Sequence, residues 1–367
     1  MPSKSARRTC ACCASPPPFA DGINCQTGAI ATPAGEVPRV STELFFEDRL
    51  GSCKARLGIG RMDYAVAPGL YAVGDPTSES PVFVTANYKM SFDRLRSQLG
   101  GRDGWIMVLN TKGINVWCAA GKGAFGTEEI LRRIEAVRLP DVVAHRQLIL
   151  PQLGAPGVAA HEVKKRSGFR VIYGPVRAED LPAFMDAGMK ATPAMRRVRF
   201  GFWDRVVLIP IELVVWVKYA ALIAVAMLVL SGLGRDFYSL SRLLSVGARS
   251  AILFLGAYLA GVALAPALLP WLPGRAFSVK GAAAGFLLVL FLGILSLAGV
   301  NLSENPLSAI AWVVIIPTVA SFLGMNFTGA STYTSLSGVL REMRLAVPIQ
   351  IACAAIGGVL WLVARFV

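Results

Sequence analysis

The chain has 367 residues, 54% of them hydrophobic, a mean hydropathy of +0.54 and a formal net charge of +14. These values exclude an ordinary soluble protein, and the charges are unevenly spread: residues 206–367 hold 9 of the 37 Lys and Arg and 4 of the 23 Asp and Glu. We therefore expect a soluble half followed by a membrane half, with the change near Arg205. The basic residues are scattered and many lie close to the first apolar segment, which favours membrane-proximal charge and no nucleic-acid partner.

The first 40 residues are rich in Pro, Ala and Ser and contain no apolar run of signal-peptide length. They predict a disordered tail over residues 1–40 and no secretory signal. The seven cysteines of the chain are irregularly spaced, which argues against a disulfide framework. We interpret the tail cysteines as reduced residues of a disordered segment, with a soft-metal trap as the alternative: Cys10, Cys12, Cys13 and Cys25.

Strand and helix patterns alternate from Pro81 onward. Four apolar runs predict buried strands: PVFVTAN, GWIMVLN, RQLILPQ and FRVIYGPV. Helical segments follow them: SFDRLRSQLG with Ser91 as N-cap, TEEILRRIEAV with Thr127 as N-cap, VAAHEVKKRSG ending at Gly168, and AEDLPAFMDAG. The alternation predicts an α/β fold, a doubly wound and mostly parallel Rossmann-like sheet over residues 41–190, whose ligands bind beyond the carboxyl ends of the strands.

The second half contains long windows without charged residues. They predict five transmembrane helices, at about 206–230, 251–272, 281–300, 307–325 and 345–364. Residues 191–205 form a basic linker, which argues for a multi-pass protein of the inner (cytoplasmic) membrane with the soluble half in the cytoplasm. Pro317 predicts a kink in the fourth span. The polar window 326–337 fits either a re-entrant segment or a surface loop.

The stretch NVWCAAGKG, residues 115–123, follows the GWIMVLN strand and lies where a ligand crevice is expected. It is not a Walker A loop, because Val116 stands where the first Gly is required and Gly123 where Ser or Thr is required. It predicts a short helix instead, with Asn115 as cap and Gly121 as stop, that presents Cys118 at the crevice.

Two other interpretations of Cys118 rest on residues alone. A nucleophilic cysteine needs an activating base, and the two histidines, His145 and His161, lie in or beside regular elements with no evident link to Cys118. A lone cysteine can also be an ordinary core residue. The position of Cys118 between Trp117 and a run of small residues at a crevice favours a functional role over both.

NVWCAAGK resembles the cap-helix motif of the HgcA family, the membrane-bound corrinoid proteins of microbial mercury methylation. Further segments resemble the same family: LGIGRMDY, PGLYAVGDP, PVFVTANYKMSFDRLR, LNTKGINVWCAAGKGAFGTEE and STYTSLSG. The resemblance runs from about residue 57 to the end and leaves out residues 1–40. The soluble half is also similar to the corrinoid domain of the corrinoid iron–sulfur protein of the acetyl-CoA pathway.

The resemblance implies a cobamide (a cobalamin-type corrinoid) with Cys118 as the lower axial ligand of its cobalt. It implies a methyltransferase that moves a methyl group from methyl-Co(III) to Hg(II) and yields methylmercury. The implied partners are a dicluster 4Fe-4S ferredoxin of the HgcB type as electron donor and a methyl-tetrahydrofolate-linked methyltransferase as methyl donor. The D-x-H-x-x-G motif that supplies a histidine ligand in other corrinoid proteins is absent from the sequence. A thiolate is a soft donor suited to a transition metal.

The residues around Cys118 acquire expected roles. We expect the cofactor to contact the cap helix, where small residues let a macrocycle approach: Asn115, Val116, Trp117, Cys118, Ala119, Ala120, Gly121 and Lys122. Hydrogen bonds are expected from residues at the end of the PVFVTAN strand: Thr85, Asn87 and Ser91. Two alternatives remain, a membrane-tethered methyl carrier of one-carbon metabolism and a membrane-anchored binding or transport protein without a cobamide.

Overall fold

The computed structural model describes residues 25–300, 303–327 and 336–367. The described chain forms two compact units, one of residues 25–55 and 59–197 and one of residues 56–58 and 198 to the C-terminus. The boundary at 197/198 falls inside the basic linker predicted over 191–205. The expectations for Cys10, Cys12 and Cys13, and for most of the polar window 326–337, lie outside the described residues.

The described part of the first unit contains a seven-stranded mixed sheet. Its strands are β1 (Gln26–Thr32), β2 (Gly35–Val40), β3 (Gly69–Val73), β4 (Val82–Ala86), β5 (Gly104–Leu109), β6 (Gln147–Leu150) and β7 (Arg170–Tyr173). The spatial order is β1-β2-β3-β5-β4-β6-β7. The strands β5-β4-β6-β7, which the sequence predicts, pair in parallel. The sheet as a whole is mixed, because β3 runs antiparallel to β5 and β1 antiparallel to β2, while the other four pairings are parallel.

Helices cover both faces of this sheet. They are α1 (Phe46–Arg56), α2 (Lys89–Arg96), α3 (Val116–Gly121), α4 (Thr127–Ala136), α5 (Leu139–Val142), α6 (Ala160–Ser167) and α7 (Leu181–Asp186). Alternate side chains of β5 enter two apolar layers. Trp105, Met107 and Leu109 join the layer of α3 to α6, whereas Ile106 and Val108 join the layer of α2 and α7. The parallel part is therefore wound on both faces, as the alternating pattern predicts.

The segment 26–40 differs from the predicted disordered tail. It forms the β1–β2 hairpin, and β2 pairs with β3 at the edge of the sheet. Val37 and Val40 are buried, and Cys25 is completely buried in the layer of α2 and α7. These few apolar contacts and the backbone pairing order a stretch whose Ala, Gly and Pro content hides the strands. Cys25 is therefore a core residue rather than part of a metal trap.

Two predicted N-caps are also wrong. Ser91 lies inside α2, which begins after Tyr88 with no side-chain cap. Thr127 is the first residue of α4, after the N-cap Gly126. Its hydroxyl accepts a hydrogen bond from the Ala159 amide at 2.9 Å, so it joins α4 to the segment before α6. In both cases a hydroxyl residue stands just inside the helix rather than at its boundary.

In the residues that the structure describes, the second unit contains helices and a short hairpin, β8 (Leu233–Gly234) and β9 (Phe237–Tyr238). Its helices are α8 (Phe202–Val206), α9 (Ile209–Leu230), α10 (Leu240–Arg242), α11 (Ala248–Leu259), α12 (Ala265–Leu268), α13 (Phe277–Leu297), α14 (Pro306–Asn326) and α15 (Leu336–Val363). Within the described residues, five helical segments are long and apolar enough to cross a membrane: Phe202–Leu230, Leu240–Leu268, Phe277–Leu297, Pro306–Asn326 and Gly338–Val363.

The second of these segments begins earlier than predicted. Arg242 and Arg249, which precede the predicted span at about 251–272, lie within this segment, because π-helical turns at Leu243–Gly247 and Ala260–Leu264 join α10, α11 and α12. Arg205 is buried rather than simply membrane-proximal. Its guanidinium donates to the carbonyls of Phe200 at 2.9 Å, Pro266 at 2.9 Å and Ala267 at 3.1 Å.

Two neighbouring helices of this unit pack at very short distance. A Cβ on Gly285 of α13 would lie 2.6 Å from the Pro317 Cα of α14 and 3.0 Å from the Ile316 carbonyl oxygen. Gly281, one turn earlier, meets the same helix near Ser321. Small residues four apart allow this approach, which is a common way for helices to associate in membranes. Helix α14 continues through Pro317.

Candidate functional site

The short helix α3 lies at the carboxyl edge of the parallel strands. It follows β5, and it contacts β4 and the 3-10 turn Gln152–Gly157 that comes after β6. The chain passes from β4 to β5 on one side and then to β6 on the other side of β4. The carboxyl ends of β4 and β6 therefore flank a switch in strand order. Open α/β sheets bind their ligands at such switch points.

The inner face of α3 fixes the helix to the sheet. Val116, Ala119 and Ala120 are buried and belong to the apolar layer of α4 to α6. Gly157 of the neighbouring turn abuts this face, because a Cβ there would lie 3.0 Å from both the Cα and the carbonyl oxygen of Ala120. The predicted approach of a macrocycle to Ala119 and Ala120 is thus not what the structure shows, since the small side chains serve packing.

The outer face of α3 carries the accessible groups. Trp117 is 38% exposed, and Cys118, Gly121 and Lys122 are also exposed. Asn115 is the N-cap, as predicted, and its Oδ1 accepts a hydrogen bond from the Cys118 amide at 2.9 Å. Cys118 and Gly121 are three residues apart and share one side of the helix. A Cβ at Gly121 would meet nothing within 4 Å, so the surface beside the thiol is open.

The residues predicted at the end of β4 do not lie together. Thr85 is buried, and by strand alternation its side chain points away from Val84 and Ala86, which join the layer of α3. Ser91, within α2, lies on that other side of the sheet. Asn87 alone among the three is at the carboxyl edge, where its Oδ1 accepts hydrogen bonds from the loop between β5 and α3.

The histidines give no support to a Cys–His nucleophile. His145 precedes β6, at the amino edge of the sheet, and its Nε2 lies 2.9 Å from the Ser80 carbonyl oxygen. That edge is opposite the one that holds Cys118. His161 is on α6, and its side chain is 80% exposed and lies near Glu162. Within the ranges that the structure describes, no group of three or more His, Cys, Asp or Glu side chains could hold a metal ion.

The segment GKGAFG, residues 121–126, has the G-x-G-x-x-G spacing of a dinucleotide-binding loop. Such a loop must follow a strand and leave its amides free for phosphate. Here the segment follows α3, and its amides are used: Gly123 donates to the Ala120 carbonyl, and Ala124 and Phe125 donate to the Ala119 carbonyl. The spacing therefore serves the turn between α3 and α4.

A buried ionic cluster lies along α2. Arg96 is fully buried and pairs with Asp48 at 2.6 Å and with Asp93 at 2.8 Å, while Lys89 contacts the same two carboxylates. Burial alone would raise the pKa of Asp48, but Lys89 and Arg96 outweigh it and hold that pKa below its ordinary value of 3.8. Arg96 also donates to the carbonyl of Ser41 at 2.6 Å, which ties the end of the hairpin to α2.

Sequence spacing could have found three of the four charged residues of this cluster. Lys89, Asp93 and Arg96 are separated by four and three residues, the distances at which helical side chains pair. Asp48 and the carbonyls of the hairpin segment come from more than 40 residues away in the chain, and no local signal points to them.

Comparison with known proteins shows that part of the first unit is similar to subunits of enzymes of acetyl-CoA chemistry. Residues 60–185 match the family model of the CO dehydrogenase/acetyl-CoA synthase delta subunit. The gamma subunit of the acetyl-CoA decarbonylase/synthase complex from Archaeoglobus fulgidus is 32% identical over 128 residues, which are 34% of this chain and 27% of the relative. The gamma subunits from Methanopyrus kandleri and Methanocaldococcus jannaschii are 32% and 31% identical over 123 and 117 residues.

These matches cover one part of each protein. The chain spans about a quarter of the length of the curated relatives that it matches, and about a third of its own length is matched. The family model includes β3 to α7 and therefore Cys118 and α3, but it ends before the five apolar helices. The chain thus combines an α/β domain similar to subunits of that complex with a helical unit suited to a membrane.

Proposed function

We propose that this protein is a membrane-anchored corrinoid protein that carries a methyl group and transfers it to an acceptor, with Cys118 as its ligand to cobalt. The observation that carries the proposal is the exposed thiol of Cys118 on α3, at the switch point of the parallel sheet. The similarity of residues 60–185 to the CO dehydrogenase/acetyl-CoA synthase delta subunit supports a methyl-transfer role for the same region.

The residues at this edge fit a corrinoid. A corrinoid, when bound, supplies a cobalt centre that accepts and donates methyl groups. Cys118 offers a soft sulfur donor, and the bare surface at Gly121 leaves space beside it for a flat macrocycle. The bond from the Cys118 amide to Asn115 holds the thiol on a fixed helix. Lys122, exposed one turn beyond Cys118, is placed to meet anionic groups of the ligand.

The proposed contact set is smaller than the one expected from the sequence. It keeps Asn115, Trp117, Cys118, Gly121 and Lys122, whose side chains or backbone are accessible on the outer face or cap of α3. Five residues are left out because their side chains are buried in the core, lie toward the other side of the sheet or are occupied by the fold: Val116, Ala119, Ala120, Thr85 and Ser91. Asn87 is left out as well, because its Oδ1 accepts hydrogen bonds from the protein's own loop.

The methyl acceptor has two candidates. The similarity to subunits of the acetyl-CoA decarbonylase/synthase complex favours a membrane-tethered methyl carrier of one-carbon metabolism. The cysteine-bearing motif NVWCAAGK and the five apolar helices outside the matched region favour Hg(II), as in the corrinoid proteins of mercury methylation. A thiolate ligand donates electron density to the metal, which favours methyl transfer to a soft electrophile such as Hg(II).

The partners and location follow from the same proposal. A dicluster 4Fe-4S ferredoxin would supply the electrons that keep cobalt active, and a methyl-tetrahydrofolate-linked methyltransferase would supply the methyl group. The five helices would anchor the protein in the cytoplasmic membrane, with the α/β unit on the cytoplasmic side.

The test uses full-length protein in detergent, loaded with a cobamide under reducing conditions. We expect the wild type to bind the cobamide. We expect the visible absorption spectrum of the cobamide bound to Cys118→Ala to differ from that of the cobamide bound to the wild type. Cys53→Ala, which removes another exposed cysteine on α1, is the matched control and should leave the spectrum unchanged. Absence of bound cobamide in the wild type, or identical spectra for wild type and Cys118→Ala, overturns the proposal.

A second step separates the acceptors. The methyltransferase loads the protein with isotopically labelled methyl, and a thiol complex of Hg(II) is then added. Labelled methylmercury that forms with the wild type but not with Cys118→Ala supports Hg(II) as acceptor. A protein that loads the label and returns it to tetrahydrofolate, but forms no methylmercury, supports the one-carbon carrier.

A further inference from the structure

Asn87, the first residue after β4, collects the hydrogen bonds of the loop that leads to α3. Its Oδ1 accepts from the Thr111 amide at 3.1 Å, the Thr111 hydroxyl at 2.8 Å and the Gly113 amide at 3.0 Å. Asn87 is 7% exposed and Thr111 is fully buried. One buried oxygen therefore satisfies three donors on a single turn, and a buried donor without its partner is costly.

The contacts of Asn87 continue to Cys118 without a break. The Thr111 hydroxyl also lies 2.7 Å from the Ile114 carbonyl oxygen, so its proton is shared between that oxygen and Asn87. The next residue, Asn115, caps α3 and accepts from the Cys118 amide at 2.9 Å. Four residues thus join the end of β4 to the backbone of Cys118.

The same loop is confined from its other side. Gly113 has φ +71°, and a Cβ there would lie 2.5 Å from the Met62 carbonyl oxygen. The Asn87 carbonyl accepts from the Val66 amide at 2.8 Å, so the segment around residues 62–66 is also bound to Asn87. The loop before α3 is therefore held between the end of β4 and this segment, and it has little freedom to move.

We propose that Asn87 is a positioning residue: through the turn Thr111–Asn115 it fixes where α3 presents the Cys118 thiol. The proposal rests on the proposed role of Cys118 as a cobalt ligand, and it assigns Asn87 to the protein's own loop rather than to the cofactor. Because a metal–sulfur bond tolerates little displacement, the supporting hydrogen bonds should govern whether the thiol reaches the metal.

Three substitutions in the full-length protein test this. Asn87→Leu keeps the approximate shape and removes the acceptor, whereas Asn87→Asp keeps an acceptor oxygen. Asn110→Ala is the matched control, because Asn110 belongs to the same loop but its Oδ1 accepts only the exposed Lys112 amide, at 3.2 Å. Hydrogen exchange measured by mass spectrometry on the apo-protein compares peptides over residues 111–124 with peptides over β4 and β5.

We expect Asn87→Leu to speed exchange over residues 111–124 by about tenfold or more while β4 and β5 keep their protection. Asn87→Asp and Asn110→Ala should exchange like the wild type. With cobamide added, Asn87→Leu should give the spectrum of Cys118→Ala, and Asn87→Asp that of the wild type.

Unchanged exchange over 111–124 in Asn87→Leu overturns the proposal. Faster exchange over the whole α/β unit does so as well, because it indicates a general structural role. A wild-type spectrum in Asn87→Leu despite local loosening shows that the thiol does not need this support. The exchange measurement involves no cofactor, so a failure of the cobalt–thiolate assignment would appear only in the spectra of the wild type and Cys118→Ala.

Discussion

Gly157→Ala should loosen the packing that holds α3 on the sheet. An added methyl at Gly157 would lie 3.0 Å from both the Cα and the carbonyl oxygen of Ala120, and closer still to the Phe125 carbonyl oxygen. All three are backbone atoms, so no side chain can rotate away and α3 or the turn Gln152–Gly157 must shift. Overpacking of this kind costs about 1–3 kcal/mol.

The magnitude is measurable as a thermal shift. For a unit of this size, about 1 kcal/mol corresponds to about 2–4 °C in the midpoint of unfolding, so we expect the midpoint to fall by about 2–12 °C. The assay is thermal unfolding of the full-length apo-protein in detergent, followed by differential scanning fluorimetry. Hydrogen exchange over residues 116–126 then shows whether the loss is centred on α3.

Gly121→Ala provides the matched control on the same helix. A methyl there meets nothing within 4 Å, and alanine favours a helix over glycine by about 0.5–1 kcal/mol. We expect its midpoint to stay the same or to rise slightly. If Gly157→Ala unfolds at the same temperature as Gly121→Ala, the close packing of α3 on the turn does not hold the helix, and the account of how Cys118 is positioned is refuted.

Three further outcomes are expected. Asp48→Asn removes a carboxylate that pairs with both Lys89 and Arg96. Denaturant titrations at pH 7 should therefore show that the free energy of unfolding falls by about 3 kcal/mol. Because the folded-state pKa of Asp48 lies below 3.8, the stability that Asp48 gives to the folded protein is present above about pH 4 and is lost as the pH falls further. If the free energy of unfolding of Asp48→Asn falls just as steeply below pH 4 as that of the wild type, this reasoning is contradicted. Asn115→Ala removes the cap of α3 and should lower the free energy of unfolding by about 1 kcal/mol in the same titration. An unchanged free energy of unfolding would show that the cap does not stabilise α3. In the helical unit, Gly285→Ala should lower the detergent unfolding midpoint because its methyl meets α14 backbone, whereas Gly293→Ala, with open space on the same helix, should not; equal midpoints would exclude close packing at Gly285.

The sequence predicts the elements whose signals are local. The four buried strands are continuous apolar runs, and the cap of α3 at Asn115 is a short-range pattern, and both appear where they are expected. The five apolar helices also follow from composition, because length and hydropathy suffice to identify them.

What the sequence does not reveal depends on distant contacts. The β1–β2 hairpin is rich in Ala, Gly and Pro and is ordered by pairing with β3, which lies about 30 residues further along the chain. Ala119 and Ala120 look like a bare surface for a ligand, yet they face the core because α3 packs on a turn that follows β6. Thr85 and Ser91 are close to Asn87 in sequence, but alternation along β4 turns the Thr85 side chain to the other face of the sheet, and Ser91 lies within α2.

The role of Asn87 illustrates the same limit. An asparagine after a buried strand at a crevice suggests a ligand contact, whereas the structure gives its oxygen to three donors of another loop. Sequence identifies the polar residue at the edge. Only the fold shows which partner it meets.

The most direct test of the central claim is cobalt X-ray absorption on the cobamide-loaded full-length protein, compared with Cys118→Ala and with Cys53→Ala. The account predicts a sulfur atom in the first coordination shell of cobalt in the wild type and in Cys53→Ala, and its loss in Cys118→Ala. A wild-type spectrum with only nitrogen and oxygen neighbours, or a sulfur signal that survives Cys118→Ala, would contradict the assignment of Cys118 as the ligand.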